Sequence, residues 1–151
     1  MKAFNVEEQS AIYKAIQIIE KLALTTSLIA TNSQAVKDYC RLKIGALERE
    51  NFGVLFLNNQ HQLISFEVMF QGTTDAAAVY PKECVKRALE LGACATILTH
   101  NHPGNNPTPS IADKTITNRL VDAFKLMEIR VLDHVIVSFS GTYSFAENNL
   151  L

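Results

Sequence analysis

Two histidines and one aspartate in a short segment have the residue types and the spacing of a metal site. His100 and His102 lie at positions i and i+2, and on extended backbone such residues point to the same side. Asp113 follows Ser110 by three residues, in the first turn of a predicted helix, where the helix dipole favours an ionised carboxylate. Two imidazoles and one carboxylate suit zinc and leave one tetrahedral position for water, as in catalytic sites. We therefore expect a metal-dependent hydrolase.

The same residues also have a structural interpretation that involves no metal. Ser110 and Asp113 match the S-x-x-[DE] capping box, in which two side chains cap the first turn of a helix. The segment from His100 to Gly104 contains Asn, Pro and Gly, a composition that is also typical of a solvated turn. The local spacing by itself leaves both interpretations open.

The pattern of apolar residues predicts alternating helices and strands around this motif. Asn58–Asn59 and Ser140–Gly141 suit the turns of two antiparallel hairpins. The three prolines within residues 101–109 indicate a stiff loop that follows His100. The predicted helices span about residues 6–24, 33–42, 81–91 and 110–127, and the predicted strands span about residues 52–57, 62–70, 93–99, 131–138 and 142–145, with a break at residues 72–75.

These elements predict one α/β domain over residues 1–151. Residues 1–45 form a helical lead-in, and residues 46–151 form a core in which helices and strands alternate. A chain of 151 residues, of which 48% are hydrophobic, is long enough to bury one core. No internal repeat or linker-like segment divides it.

Charge and cysteine content restrict the functional classes. The net charge is −1 and no run of Lys or Arg is present, so a nucleic-acid partner is possible but has no support from charge. Cys40, Cys84 and Cys94 form no C-x-x-C pair, and we expect three free, buried thiols. With neither a signal sequence nor an apolar run of about 18 residues, we expect a cytoplasmic protein without a membrane segment.

The string from His100 to Asp113, HNHPGNNPTPSIAD, resembles the JAMM signature H-x-H-x(7)-S-x-x-D of the MPN+ metalloprotease superfamily. The segments Val79–Glu83 and Ile129–His134 resemble the RadC-like branch of that superfamily, and the resemblance covers about Ser27 to Leu150. It implies a three-layer, mixed-sheet JAB/MPN-like fold that is similar to cytidine deaminases. The H-x-E and P-C-x-x-C motifs of zinc deaminases do not occur. Gly104 and Asn105 replace the Ser-Gly that usually follows His-Pro in the family.

The resemblance also implies roles for individual residues. His100, His102 and Asp113 would bind zinc, and Ser110 would help to stabilise an oxyanion. The superfamily uses a glutamate just before a buried strand as general base, and Glu50 is the most similar position. Glu67 and Glu48 stay open as alternatives to Glu50. His134 matches the family pattern too, although we interpret it first as a hydrogen-bonded histidine packed at the start of a strand.

The leading hypothesis is therefore a zinc metallopeptidase or isopeptidase that cleaves an amide bond in a peptide or protein substrate. One alternative is a DNA-repair-associated protein of the RadC type that acts on nucleic acid. The helix-hairpin-helix region that would support DNA contact in full-length RadC-like proteins is replaced here by a single predicted long helix. The other alternative is a non-catalytic MPN-like binding module.

Overall fold

The computed structural model describes residues 4–27, 31–72 and 77–151. These residues form a five-stranded sheet with helices on both faces. In chain order the elements are α1 (Val6–Thr25), α2 (Ser33–Ile44), β1 (Asn51–Leu57), β2 (Leu63–Gln71), α3 (Pro81–Leu91), β3 (Ala95–Asn101), α4 (Ile111–Leu126), β4 (Arg130–Val137) and β5 (Thr142–Ser144).

The sheet is mixed, with the strand order β2-β1-β3-β4-β5. The β3–β4 pair is parallel and is joined by α4, whereas the other three pairs are antiparallel. The strands β1 and β3 lie at the centre, and every residue in them is buried. This agrees with the continuous apolar runs in the sequence, which are typical of strands covered on both faces.

The side chains of β1 divide the core into two layers because neighbouring residues of a strand point to opposite faces. Leu55 and Leu57 pack with residues of α1 and α2. Val54 and Phe56 pack with residues of α3 and α4. Burial of each such Leu or Phe side chain contributes roughly 1.5–3 kcal/mol to folding. The arrangement of helices, sheet and helices confirms the predicted three-layer α/β fold.

Local sequence features determine where several elements begin and end. Asn5 and Glu8 form the predicted capping box of α1. Gly92, at φ +66°, adopts the left-handed conformation that ends α3. In the β1–β2 turn, the Asn58 side chain accepts hydrogen bonds from the backbone N–H groups of Gln60 and Gln62. Both predicted hairpins are therefore present.

The predicted end of β3 was wrong. The sequence predicts an end at Thr99 and a loop from Asn101 onwards, but β3 continues through Asn101 because it stays paired with β4 as far as Val137. The side chain of Asn101 is also hydrogen-bonded in the interior, which compensates for its polarity. The predicted break after β2 begins with Gly72, and its residues 73–75 lie outside the described residues.

The three cysteines are free thiols, as predicted, but they are not all buried. Cys40 and Cys84 are buried, and burial raises the pKa of each thiol to about 12. Cys94 is exposed, because it lies in the short turn between α3 and β3 rather than on either element. Across the described ranges, we find no helix with both the length and the apolar character that a membrane span requires.

The buried side chain of Asn101 holds the segment that leads into β1. Its Oδ1 accepts a hydrogen bond from the backbone N–H of Asn51 at 2.8 Å. Its Nδ2 donates to the carbonyl oxygens of Leu47 and Arg49 at 3.1 and 3.0 Å. These three backbone groups flank Glu50 on both sides, so Asn101 fixes the position of Glu50 relative to β3.

We predict that Asn101→Ala lowers the free energy of unfolding by about 1–3 kcal/mol, because it leaves buried backbone groups without hydrogen-bond partners. Urea denaturation followed by circular dichroism measures this change. Asn118→Ala is the matched control, since Asn118 is exposed on α4 and alanine favours a helix. An unchanged stability for Asn101→Ala would contradict this role.

Candidate metal centre

The topology brings the predicted metal-binding residues to one edge of the sheet. His100 lies near the carboxyl end of β3, and His102 follows the strand directly. Since α4 joins β3 to its parallel neighbour β4, the first turn of α4 begins beside that edge. Asp113 is the third residue of α4 and therefore faces the two histidines.

The three side chains present their polar atoms to a common point. His100 Nε2 lies 3.0 Å from His102 Nε2 and 3.1 Å from Asp113 Oδ1. His102 Nε2 lies 3.4 Å from Asp113 Oδ2. Tetrahedral zinc with bonds of about 2.0–2.1 Å separates its ligand atoms by about 3.3 Å. The two separations from His100 Nε2 are close to this value, and one ligand atom from each residue lies within 4.8 Å of the others, so this group can bind a metal ion.

The ring of His102 is oriented to offer a lone pair to this point. Its Nδ1 lies 2.9 Å from the backbone oxygen of Asn106, and a carbonyl oxygen can only accept, so Nδ1 donates. Neutral His102 then has a lone pair on Nε2. A hydrogen bond to Asp113 raises the pKa of His102 although burial opposes this. A proton or a metal cation can thus occupy the space between the two side chains.

Asp113 combines the capping role with a position at the metal centre. Its Oδ2 accepts hydrogen bonds from the backbone N–H and the hydroxyl of Ser110, at 2.7 and 2.8 Å. Its Oδ1 is the oxygen that faces His100. Burial favours the protonated acid, but the two imidazoles beside the carboxylate outweigh it and hold the pKa of Asp113 well below its usual range. The two interpretations of the S-x-x-D pattern are therefore compatible.

Among the described residues, no fourth His, Cys, Asp or Glu side chain joins His100, His102 and Asp113 in this group. A fully ligated structural zinc site would need such a side chain. The geometry in the described ranges is thus that of an open site, in which a substrate or solvent can reach the remaining position.

Glu50 lies on the wall of the cavity that contains the three side chains. It precedes β1 directly, and its Oε1 accepts a hydrogen bond from the backbone N–H of Ala77 at 3.2 Å. Burial raises the pKa of Glu50, while the nearby imidazole of His100 and the hydrogen bond from Ala77 partly oppose the rise. A half-buried carboxyl group with a raised pKa is well suited to accept and release a proton.

The other two candidate glutamates lie outside the cavity. Glu67 on β2 is bound by Arg87, whose Nε and Nη2 each donate to it at 2.8 Å. These bonds lower the pKa of Glu67 and occupy its oxygens. Glu48 is exposed to solvent and does not line the cavity. Of the three glutamates that the sequence leaves open, the structure brings only Glu50 to the metal centre.

His134 is a packed, hydrogen-bonded histidine, as we interpreted it, but it is the fifth residue of β4 rather than its first. It is fully buried, and it contacts His100 through one ring nitrogen and Thr117 through the other. Thr117 was not identified from the sequence. Its spacing of four residues from Asp113, which places both on one face of α4, was the only indication.

The cavity at the metal centre has a volume of about 580 Å³, within the range of small-molecule and peptide sites. Its apolar wall includes Phe52, Val79 and Ile116. Arg119 on α4 supplies a positive charge at its edge. A second cavity, of about 670 Å³, lies between α1, α2 and Phe139, and it contains no group of metal-binding side chains.

Comparisons with known proteins identify the family of this chain. A family model described as the RadC-like JAB domain matches residues 30–150. The UPF0758 protein YfjY of Escherichia coli (strain K12) is 48% identical over 143 residues, covering 95% of this chain and 89% of that protein. The UPF0758 protein YkfG of the same strain is 46% identical over 145 residues, covering 96% and 92%. A UPF0758 protein of Vibrio cholerae serotype O1 is 52% identical over 121 residues, covering 80% and 76%.

The names of these relatives state no reaction or substrate, so they inform us about the family alone. The matched residues include the whole JAMM-like string and the strands that carry it. The chain therefore belongs to the RadC-like JAB domain family, whose wider JAB/MPN superfamily includes metallohydrolases.

Proposed function

We propose that this protein is a zinc-dependent hydrolase of the JAMM type that cleaves an amide bond in a peptide or protein substrate. The observation that carries the proposal is the convergence of His100, His102 and Asp113, which place one ligand atom each within 4.8 Å of one another. The open cavity beside them gives a substrate access.

His100 Nε2, His102 Nε2 and Asp113 Oδ1 would hold the metal. Two imidazoles and a carboxylate form a common ligand set of catalytic zinc in peptidases. When bound, zinc supplies Lewis-acid activation of water and of the substrate carbonyl group. The chain itself must then orient the substrate and move one proton from the attacking water to the leaving amine.

Glu50 is the residue that we assign to this proton transfer. It lines the cavity, and its raised pKa brings it closer to the value at which a carboxylate both accepts and returns a proton. Asn101 holds the backbone on both sides of Glu50, which limits the movement of the carboxylate relative to β3. Such fixed placement reduces the entropic cost of the reaction.

Ser110 can contribute to oxyanion stabilisation only after its hydroxyl turns. The hydroxyl donates its single proton to Asp113 Oδ2 in this structure. A rotation about the Cβ–Oγ bond would redirect this proton into the cavity, while Oγ still accepts from the backbone N–H of Asp113 and the backbone N–H of Ser110 still binds Asp113 Oδ2. The capping box thus keeps Asp113 in place while Ser110 serves as a hydrogen-bond donor to the substrate.

We predict that tag-free protein contains about one zinc per chain, and that His102→Ala or Asp113→Ala reduces this to background because each removes a ligand. Elemental analysis by mass spectrometry measures the content. His61→Asn is the control, since His61 lies outside the site and Asn tolerates its left-handed backbone at φ 59°. Equal zinc in the wild type and the ligand variants would refute the assignment.

We predict that Glu50→Gln keeps the zinc but lowers kcat at least 100-fold, because the amide cannot accept the proton. Hydrolysis of a quenched fluorescent peptide or isopeptide library measures the turnover. Glu48→Gln is the matched control, with the same chemical change two residues away on an exposed side chain. If both variants retain wild-type turnover, Glu50 is not the proton carrier. Stoichiometric zinc without any hydrolysis would instead favour a non-catalytic binding module.

A further inference from the structure

Two buried side chains behind His100 connect it to the backbone of Asp113. His100 Nδ1 lies 2.8 Å from His134 Nε2, and His134 Nδ1 lies 2.6 Å from Thr117 Oγ1. Thr117 Oγ1 also lies 2.6 Å from the backbone oxygen of Asp113. His134 and Thr117 are both 0% exposed. An unbroken series of hydrogen bonds therefore runs from one candidate ligand to the residue that supplies another.

Aromatic packing fixes the orientation of the His134 ring. Phe145 stacks on it with centroids 4.8 Å apart and an angle of 21° between the planes. Phe52 contacts its edge at 5.6 Å and also stacks on His100 at 6.1 Å. The rings therefore have little freedom to turn. With the ring orientations fixed, each neutral imidazole can still differ in which of its two nitrogens carries the proton.

The Thr117 hydroxyl determines the direction of the hydrogen bonds. It has one proton, and the backbone oxygen of Asp113 can only accept, so the contact between them requires that the proton points to Asp113. The hydroxyl oxygen then accepts a proton from His134 Nδ1. Neutral His134 has its lone pair on Nε2, where it accepts from His100 Nδ1. This leaves the lone pair of His100 on Nε2, the atom that faces His102 and Asp113.

The surroundings of His134 keep its imidazole neutral. The ring is 0% exposed and packs between the aromatic rings of Phe52 and Phe145, so burial disfavours a charged imidazole. Both ring nitrogens are occupied by His100 and Thr117, so no carboxylate is bonded to them. If the hydrogen bonds among His100, His134 and Thr117 ran in the opposite direction, Nε2 of His100 would carry a hydrogen. That nitrogen would then have no lone pair to offer to a metal.

We propose that His134 and Thr117 are positioning residues that hold His100 in the one tautomer able to bind a metal through Nε2. This role in metal binding rests on the proposed function, but the direction of the hydrogen bonds is a property of the metal-free protein. Groups that orient a metal-binding histidine in this way typically change metal affinity 10- to 100-fold when they are removed.

Three variants separate this role from general stability. Thr117→Val removes the hydroxyl but keeps a β-branched side chain of similar shape. Thr117→Ser keeps the hydroxyl. Thr99→Val is the matched control, because Thr99 is also fully buried and also donates to a backbone oxygen, that of Val135 at 2.7 Å.

The first measurement is the zinc dissociation constant, from competition with a chromophoric chelator. We expect Thr117→Val to bind zinc at least 10-fold more weakly than the wild type, whereas Thr117→Ser and Thr99→Val stay within about threefold. Equal affinity of Thr117→Val and the wild type would overturn the proposal. Equal weakening in Thr99→Val would also overturn it, since the effect would then follow from lost stability.

The second measurement is ¹⁵N NMR of the histidine rings in the metal-free wild type at pH 8, which reports the protonated nitrogen directly. We expect a proton on Nδ1 and none on Nε2 for both His134 and His100. A proton on Nε2 of His100 would overturn the proposal even if zinc binds. Since this measurement needs neither zinc nor a variant, it decides the hydrogen-bond direction even if the protein is not a zinc hydrolase.

Discussion

Three electron-pair donors converge at the end of β3, and most of the polar structure around them holds that convergence in place. His100 Nε2 lies 3.0 Å from His102 Nε2 and 3.1 Å from Asp113 Oδ1, and only a cation or a proton makes such proximity of electron-pair donors favourable. The parallel β3–β4 pair provides the geometry, because its connecting helix must begin where β3 ends. The donors are thus brought together by topology before any metal binds.

The central strand β3 organises both sides of the sheet at this edge. On the side of α4, His100 contacts His134, which in turn contacts Thr117. Asn101, the next residue, points to the opposite face and binds the backbone around Glu50. Alternation along one strand therefore positions a metal ligand and the segment of the proposed general base together. The capping box of α4 has two effects, because the same hydrogen bonds of Ser110 stabilise the helix and orient Asp113.

The local patterns of the sequence predicted much of this arrangement, whereas its long-range contacts could not be predicted. The H-x-H spacing, the S-x-x-D capping box and the order of helices and strands depend on neighbours within a few residues, and the structure contains all of them. The roles of Asn101 and Thr117 depend on partners 17–54 residues away, and the spacing of Thr117 from Asp113 is the one local indication of either. The choice among the three glutamates also required the structure, which places only Glu50 in the cavity.

The most direct test of the central claim is a crystal structure of the zinc-loaded protein with anomalous diffraction data collected at the zinc absorption edge. We expect one strong anomalous peak about 2.0–2.2 Å from His100 Nε2, His102 Nε2 and an Asp113 oxygen, with no fourth side chain bound to it. The result would contradict the proposed metal site if the peak lay elsewhere or if a fourth protein side chain bound the zinc. The absence of any peak, in crystals grown with zinc in excess of protein, would also contradict it.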